Sequence, residues 1–275
     1  MIVFRIAAFA LLGLFTTACQ SGQPDNSDVV QWRLPDKLNE ISGLALTADE
    51  RLLAITDEEA IVYEIDYQDG GLVKAFALGS PTVRGDFEGI AVLDGMVWLL
   101  TSNGRLYNFR EGADGERVDY QRINTDLGDE CEFEGLAAES TTDRLLLVCK
   151  ESKKRKKGLR IFEWLATGDK NQKAVEIELD EDALEESIDK KKVNPSGIAI
   201  SPATGNRIVV AARQRAVFEV TRGGELIDVI MLLDAGRHEQ PEGVVVTEDG
   251  RLIIADEAGN GAARLAIYSP EQQEE

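Results

Sequence analysis

The chain has 275 residues, room for one large all-β domain or two ordinary ones, and its 43% hydrophobic content can bury a sizeable core. Fifty acidic residues against 30 basic ones give a net charge of −20, which repels phosphates and excludes nucleic acid as a general partner of the surface. Cations, or proteins with basic patches, suit this field; the plainer account is a self-repelling soluble surface.

Residues 1–18 have the pattern of a signal peptide. Arg5 is their only charge, an apolar run spans 6–15, and Thr16, Thr17 and Ala18 are small residues before a cut. The run is too short for a comfortable membrane span. Cys19, directly after them, resembles the lipobox cysteine of bacterial lipoproteins, although Thr16 stands where that box prefers Leu. The resemblance implies that Cys19 becomes the lipid-bearing first residue of the mature chain. Gln20 rather than Asp follows, which by the sorting rule of that class points to the outer membrane. The expected location is therefore the bacterial cell envelope, facing the periplasm, with the membrane as partner through the N-terminal lipid. Residues 19–27, polar and containing Gly, Pro, Asn and Ser, form a flexible tether.

The folded domain is expected over 28–270, with an acidic tail at 271–275. It opens on an isolated strand at 29–34 (VVQWRL). Glycine-centred phrases then recur: EISGLA at 40–45, DFEGIA at 86–91, EFEGLA at 132–137, NPSGIA at 194–199 and QPEGVV at 240–245. Their glycines, Gly43, Gly89, Gly135, Gly197 and Gly243, are spaced by 46, 46, 62 and 46 residues. Such a period marks a repeat architecture. Within each repeat, short apolar or alternating runs bounded by Gly, Asp and Asn turns predict strands joined by hairpins.

The first repeat predicts strands at 43–46, 51–55, 60–65 and 72–78, and the second at 90–93, 97–100, 105–109 and 117–123. The third predicts 136–138, 144–148, 159–164 and 174–179, and the fourth 198–200, 207–211, 216–220 and 225–232. The fifth has three, at 244–246, 252–255 and 264–268. The strand at 29–34 supplies the missing fourth, so the N-terminal strand closes the last blade. The prediction is an all-β β-propeller of five four-stranded blades. Six blades, the alternative, would need about another 40 residues of strand. The longer spacing after Gly135 contains 180–193 (DEDALEESIDKKKV), whose early acids and late lysines predict a short surface helix.

In a propeller the first strand of each blade lines the central channel and the second runs back beside it. The start of one and the end of the other share a face. That sorting brings Glu40, Asp86, Glu88, Glu132, Glu134 and Glu242 to the same mouth as Asp57, Glu58, Lys150, Glu151, Arg213, Asp256 and Glu257. Close backbone approach near the axis explains the glycines. It does not explain Glu88, Glu134 and Glu242 at one equivalent position, which Ser42 and Ser196 hold in the other two blades. Carboxylates so placed repel unless solvated, protonated or bound to a cation. Ca²⁺, which takes about six to eight oxygen ligands, is the cofactor such a ring suits. A wet channel in which the same groups hold water is the other reading. No His/Cys cluster points to zinc.

Besides Cys19 there are two cysteines. Cys131 precedes the first strand of the third blade and Cys149 ends the second, so antiparallel pairing sets them side by side for a disulfide; ordinary buried thiols are the alternative. His238, the sole histidine, lies in the loop before the last blade and is expected at the acidic mouth, as a plain surface residue or a general base. Neither a G-x-S-x-G elbow nor a phosphate-binding glycine loop occurs. The basic run KKRKK at 153–157 falls in a hairpin of the third blade, as a solvated tip or a contact to anionic lipid or a cell-surface polymer.

The phrases EISGLA with LLAITDE, DFEGIA, and QPEGVVVTEDGRLIIADE resemble the SdiA-regulated family of bacterial envelope propellers, over about residues 28–270. Related phrases occur in NHL-type, gluconolactonase-like and phytase-like propellers. The family resemblance implies the fold and carries no settled activity. Phytase-like relatives hold Ca²⁺ at the channel mouth, which implies Glu88, Glu134 and Glu242 as ligands here, with Asp57, Asp256 and Glu257 as second candidates. Blades one and four depart from the Glu-Gly pattern, and phytase-like catalysis wants more basic residues at the mouth than Lys150 and Arg213. The expected function is a monomeric, lipid-anchored periplasmic binding module whose acidic mouth holds Ca²⁺, a cationic ligand or an envelope protein. The alternative is a Ca²⁺-dependent hydrolase of the lactonase or phosphoesterase kind at the same mouth, with no catalytic residue nominated. An inert scaffold is a third reading.

Overall fold

The computed structural model describes residues 29–154, 158–166 and 173–270. The signal peptide, Cys19 and its tether, the end of the basic run at 155–157 and the acidic tail lie outside the described residues. Among those described, no helix is long and apolar enough to cross a membrane.

β1 (Val30–Arg33) comes first. Blade one follows as β2 (Ile41–Leu46), β3 (Leu52–Thr56), β4 (Ile61–Asp66) and β5 (Gly71–Leu78). Blade two starts with β6 (Phe87–Leu93), β7 (Met96–Thr101) and β8 (Arg105–Arg110). Asp94 and Gly95, both at positive φ, join β6 to β7 in the two-residue turn that matches strand twist.

The single strand expected at 117–123 is in fact two. β9 (Arg117–Val118) crosses to pair in parallel with β5, and β10 (Gln121–Asn124) completes blade two against β8. The edge of blade one makes this worthwhile. Ala77 N–H donates to Glu116 O at 2.9 Å and Gly79 N–H to Val118 O at 3.0 Å. Arg117 donates from Nη1 to Gly79 O and Thr82 Oγ1, both at 2.8 Å. The crossing satisfies backbone groups that an open edge would leave to water or to another chain.

Blade three is β11 (Cys131–Glu139), β12 (Arg144–Ser152), β13 (Arg160–Leu165) and β14 (Val175–Glu178). Cys131 and Cys149 form the disulfide, with Cα atoms 5.7 Å apart. The helix predicted at 180–193 is shorter, α1 (Glu181–Ser187). Asp180 caps it, its Oδ1 accepting Ala183 N–H at 3.1 Å. Asp189 and Lys192 stand at positive φ beyond its end, which stops it short of the lysines. Blade four is β15 (Gly197–Ile200), β16 (Arg207–Ala211), β17 (Ala216–Val220) and β18 (Leu226–Leu232). Blade five is β19 (Pro241–Val246), β20 (Leu252–Asp256) and β21 (Arg264–Tyr268), closed on its outside by β1.

The five sheets stand in a ring with β2, β6, β11, β15 and β19 around the axis. The core is correspondingly divided into five clusters, each shared by two neighbouring blades. Leu53, Phe76, Phe87 and Phe109 join blades one and two, for example, and Leu44, Tyr63, Ile253 and Leu265 join blades one and five. Side chains of this size contribute roughly 1.5–3 kcal/mol each when buried, so every blade is stabilised chiefly by its neighbours.

Candidate functional site

The repeat phrase places its chemistry through a backbone irregularity. In β2, β6, β11 and β19 the pairing to the next strand slips just before the glycine. Ser42, Glu88, Glu134 and Glu242 are the residues at these bulges. A bulge re-aims the side chain it carries, and these four line one small cavity at the axis. In blade four Ser196 precedes β15 at the same point, its N–H donating to Val210 O at 2.8 Å.

The glycines behind them form a closed ring of backbone contacts. A Cβ on Gly89 would stand 2.6 Å from Leu136 N, and one on Gly197 would stand 2.3 Å from Glu242 O. Any side chain there would push neighbouring blades apart. The cavity above this ring is about 10 Å³, near the size of one water. Below the ring the channel, about 140 Å³, is lined by apolar side chains and the backbone of the five inner strands, among them Leu44, Ile90, Leu136, Ile198 and Val244.

Electrostatics at the mouth are dominated by removal of carboxylates from water. Burial, then the charges of Glu134, Asp86 and Glu242, push Glu88 up to about 9, against a smaller opposing effect of Lys150. Burial, then the charge of Glu134, push Glu242 up to about 8, opposed by a hydrogen bond from Gln240. Glu134 is also raised, by burial, although Lys150 Nζ donates to its Oε1 at 2.6 Å. Burial acts to lower the Lys150 ammonium, but its bond to Glu134 and the field of Glu242 and Glu132 raise it overall. With Glu88 near 9 and Glu242 near 8, these two carboxyls hold their protons at neutral pH beside the Lys150–Glu134 contact.

Asp57 and Glu257 form a second acidic group, on blades one and five. Burial first, then a hydrogen bond and the charge of Glu40, bring Glu257 to about 7. Burial, then Glu40 and Glu58, raise Asp57. Gln240 links the two groups, donating from Nε2 to Glu242 Oε1 at 3.3 Å and to Glu257 Oε2.

Asp256 and His238 are placed differently from expectation. Both are buried, His238 entirely, so the histidine is not a surface loop residue. Asp256 Oδ2 lies 2.6 Å from His238 Nδ1, and His238 Nε2 lies 2.5 Å from Tyr268 Oη. Tyr268 also meets the side chain of Arg237, and burial raises its phenol. The loop before β19 folds its histidine inward because Asp256 and Tyr268 offer both ring nitrogens a partner. Asp256 Oδ2 is thus engaged by His238, while its Oδ1 is buried without a hydrogen-bond partner among the described residues.

The donor set at the axis is oxygen only, which suits a hard cation such as Ca²⁺. Ser42 Oγ is buried there with no hydrogen-bond partner among the described residues. Lys150 already neutralises one carboxylate, and among the described residues no group of three or more His, Cys, Asp or Glu side chains has converged on a metal geometry. The residues fit a hard cation in kind, not in their present arrangement.

A model of the SdiA-regulated family matches residues 26–263. A search of curated proteins finds no match. Among solved structures, the chain is similar to the glutaminyl cyclase of Myxococcus xanthus, with 13% identity, a TM-score of 0.55, and coverage of 86% of this chain and 93% of that one. A luciferin-regenerating enzyme is similar at 13% identity and TM-score 0.54, over 90% of this chain and 78% of that one. A streptogramin B lyase is similar at 13% identity and TM-score 0.50, over 86% and 96%. At this identity the likeness concerns the fold, which hosts several chemistries.

Proposed function

The chain belongs to the SdiA-regulated family, and from that premise we propose that it is a lipid-anchored binding module of the bacterial envelope whose ligand face is the acidic channel mouth. One observation carries the reading: Glu88, Glu134, Glu242 and the unpartnered Ser42 hydroxyl line a single cavity at the axis. Such a set can exchange protons for a divalent cation, and Ca²⁺ is the ion its oxygens suit. The N-terminal pattern ending at Cys19 supports export, lipidation and a periplasmic location. The binding reading is preferred to a hydrolase because His238, the natural base, is engaged with Asp256 and Tyr268 and has no surface at the mouth.

Calcium titration calorimetry tests the proposal. The parent is expected to bind Ca²⁺ with micromolar affinity at pH 8 and to release protons, seen as heat that depends on the buffer. Glu88→Gln and Glu134→Gln should each weaken binding at least tenfold. No heat in the parent, and no rise in melting temperature in millimolar Ca²⁺, would remove the cation from the proposal.

A further inference from the structure

Beside the carboxylate ring lies a larger cavity, of about 270 Å³, bounded by blades three, four and five. Blade four, one of its walls, departs from the Glu-bearing repeat. Where blades two, three and five carry Glu, this blade carries Ser196. Its Oγ turns into the backbone, donating to Pro241 O at 2.7 Å and accepting Ala212 N–H at 3.1 Å. The space a fourth carboxylate would take is left open.

The cavity carries unpaired groups of both signs. Arg213 lines it and makes no hydrogen bond or ion pair among the described residues. Glu239 lines it from blade five and is likewise unpaired, beside Glu242. Asn194, only 5% exposed, also lines the cavity, its backbone N–H held by Gln214 Oε1 at 3.2 Å. Lys150 is already held by Glu134.

We propose that this cavity binds a small zwitterion carrying an ammonium and a carboxylate, of amino-acid or dipeptide size. The proposal rests on the mouth being a ligand face. The carboxylate pairs with Arg213, whose fork suits it in bidentate fashion, and accepts from the Asn194 amide. The ammonium is taken by the Glu239 carboxylate. A purely anionic ligand would leave Glu239 unpaired. A purely cationic one would face Arg213.

Calorimetry with L-alanine and L-alanyl-L-alanine, each beside its N-acetylated and C-amidated forms, provides the test. The zwitterions should bind, and each capped form should bind at least tenfold more weakly. Arg213→Glu, on an exposed side chain, should retain the parent melting temperature and abolish the preference for the free carboxylate. Absence of zwitterion binding at millimolar concentration overturns the proposal, as does equal binding of the capped forms or an Arg213→Glu variant with parent affinity. Calcium binding without zwitterion binding would leave the cation reading standing and this one refuted. Zwitterion binding without calcium binding would do the reverse.

Discussion

Glu88 and Glu242 hold protons at a pH where an unfolded carboxylate has lost them. The sign of the consequence follows from linkage. Below about pH 4.5 both states are protonated and the groups have no effect on folding. As pH rises toward 8 and 9 the unfolded chain sheds protons that the folded mouth keeps, so stability falls, by at most about 1.4 kcal/mol per pH unit for each group. Beyond the folded pKa values the loss is complete. Glu88→Gln, which cannot ionise, should therefore equal the parent in melting temperature near pH 4.5 and exceed it by several degrees at pH 8. A constant difference between the two across that range would show that Glu88 is not held protonated. The sequence placed Glu88, Glu134 and Glu242 together because a repeat puts equivalent residues at equivalent points. It could not orient Asp256 and His238, because their directions depend on Tyr268, thirty residues from His238 and on another strand.

At the scale of the strand, four of the five inner strands carry both a bulge and the glycine that follows, and the two have separate duties. The bulged residue faces the cavity, and the glycine lets the next blade approach. Gly197→Ala tests the second duty, since its Cβ would overlap Glu242 O. Relief requires blades four and five to move apart, and a loss of about 3 kcal/mol is expected, at the upper end for overpacking. Denaturant unfolding should show the midpoint falling while the cavity residues remain unchanged in type. A parent-like midpoint would mean that the ring of glycines is not in contact. Strands and hairpins were legible because their apolar runs and Gly/Asp turns are local signals. β9 was not: two residues pairing in parallel with a distant strand leave no alternation to detect, and its reason lies in the edge of blade one. The end of α1 was missed because its lysines suit a helix terminus, yet Asp189 and Lys192 adopt left-handed backbone.

For the molecule as a whole, the four spacings between five glycines and the missing outer strand of the fifth blade were enough to foresee a closed ring. β1 does more than fill the gap. It pairs with β21 through four residues, and Trp32 reaches across to blade one, donating from Nε1 to Tyr67 O at 3.1 Å. Removing residues through Arg33 should thus weaken blade five and its contact to blade one together, and leave β21 as an open edge. Size-exclusion chromatography is expected to show species larger than the parent's. A truncation of parent size and stability would show that closure is dispensable.

The position of β1 also has a mechanical meaning. Any pull on the segment before Val29 enters the ring through this one strand, whose hold on β21 is a single antiparallel ladder. The other four blades keep their inner and middle strands in continuous stretches of chain and feel the load only after β1 has been peeled away. A tug at the N-terminus would thus open the circle at one fixed seam, between the last blade and the first, and would slacken the side of the mouth where Glu40, Asp57 and Glu257 meet.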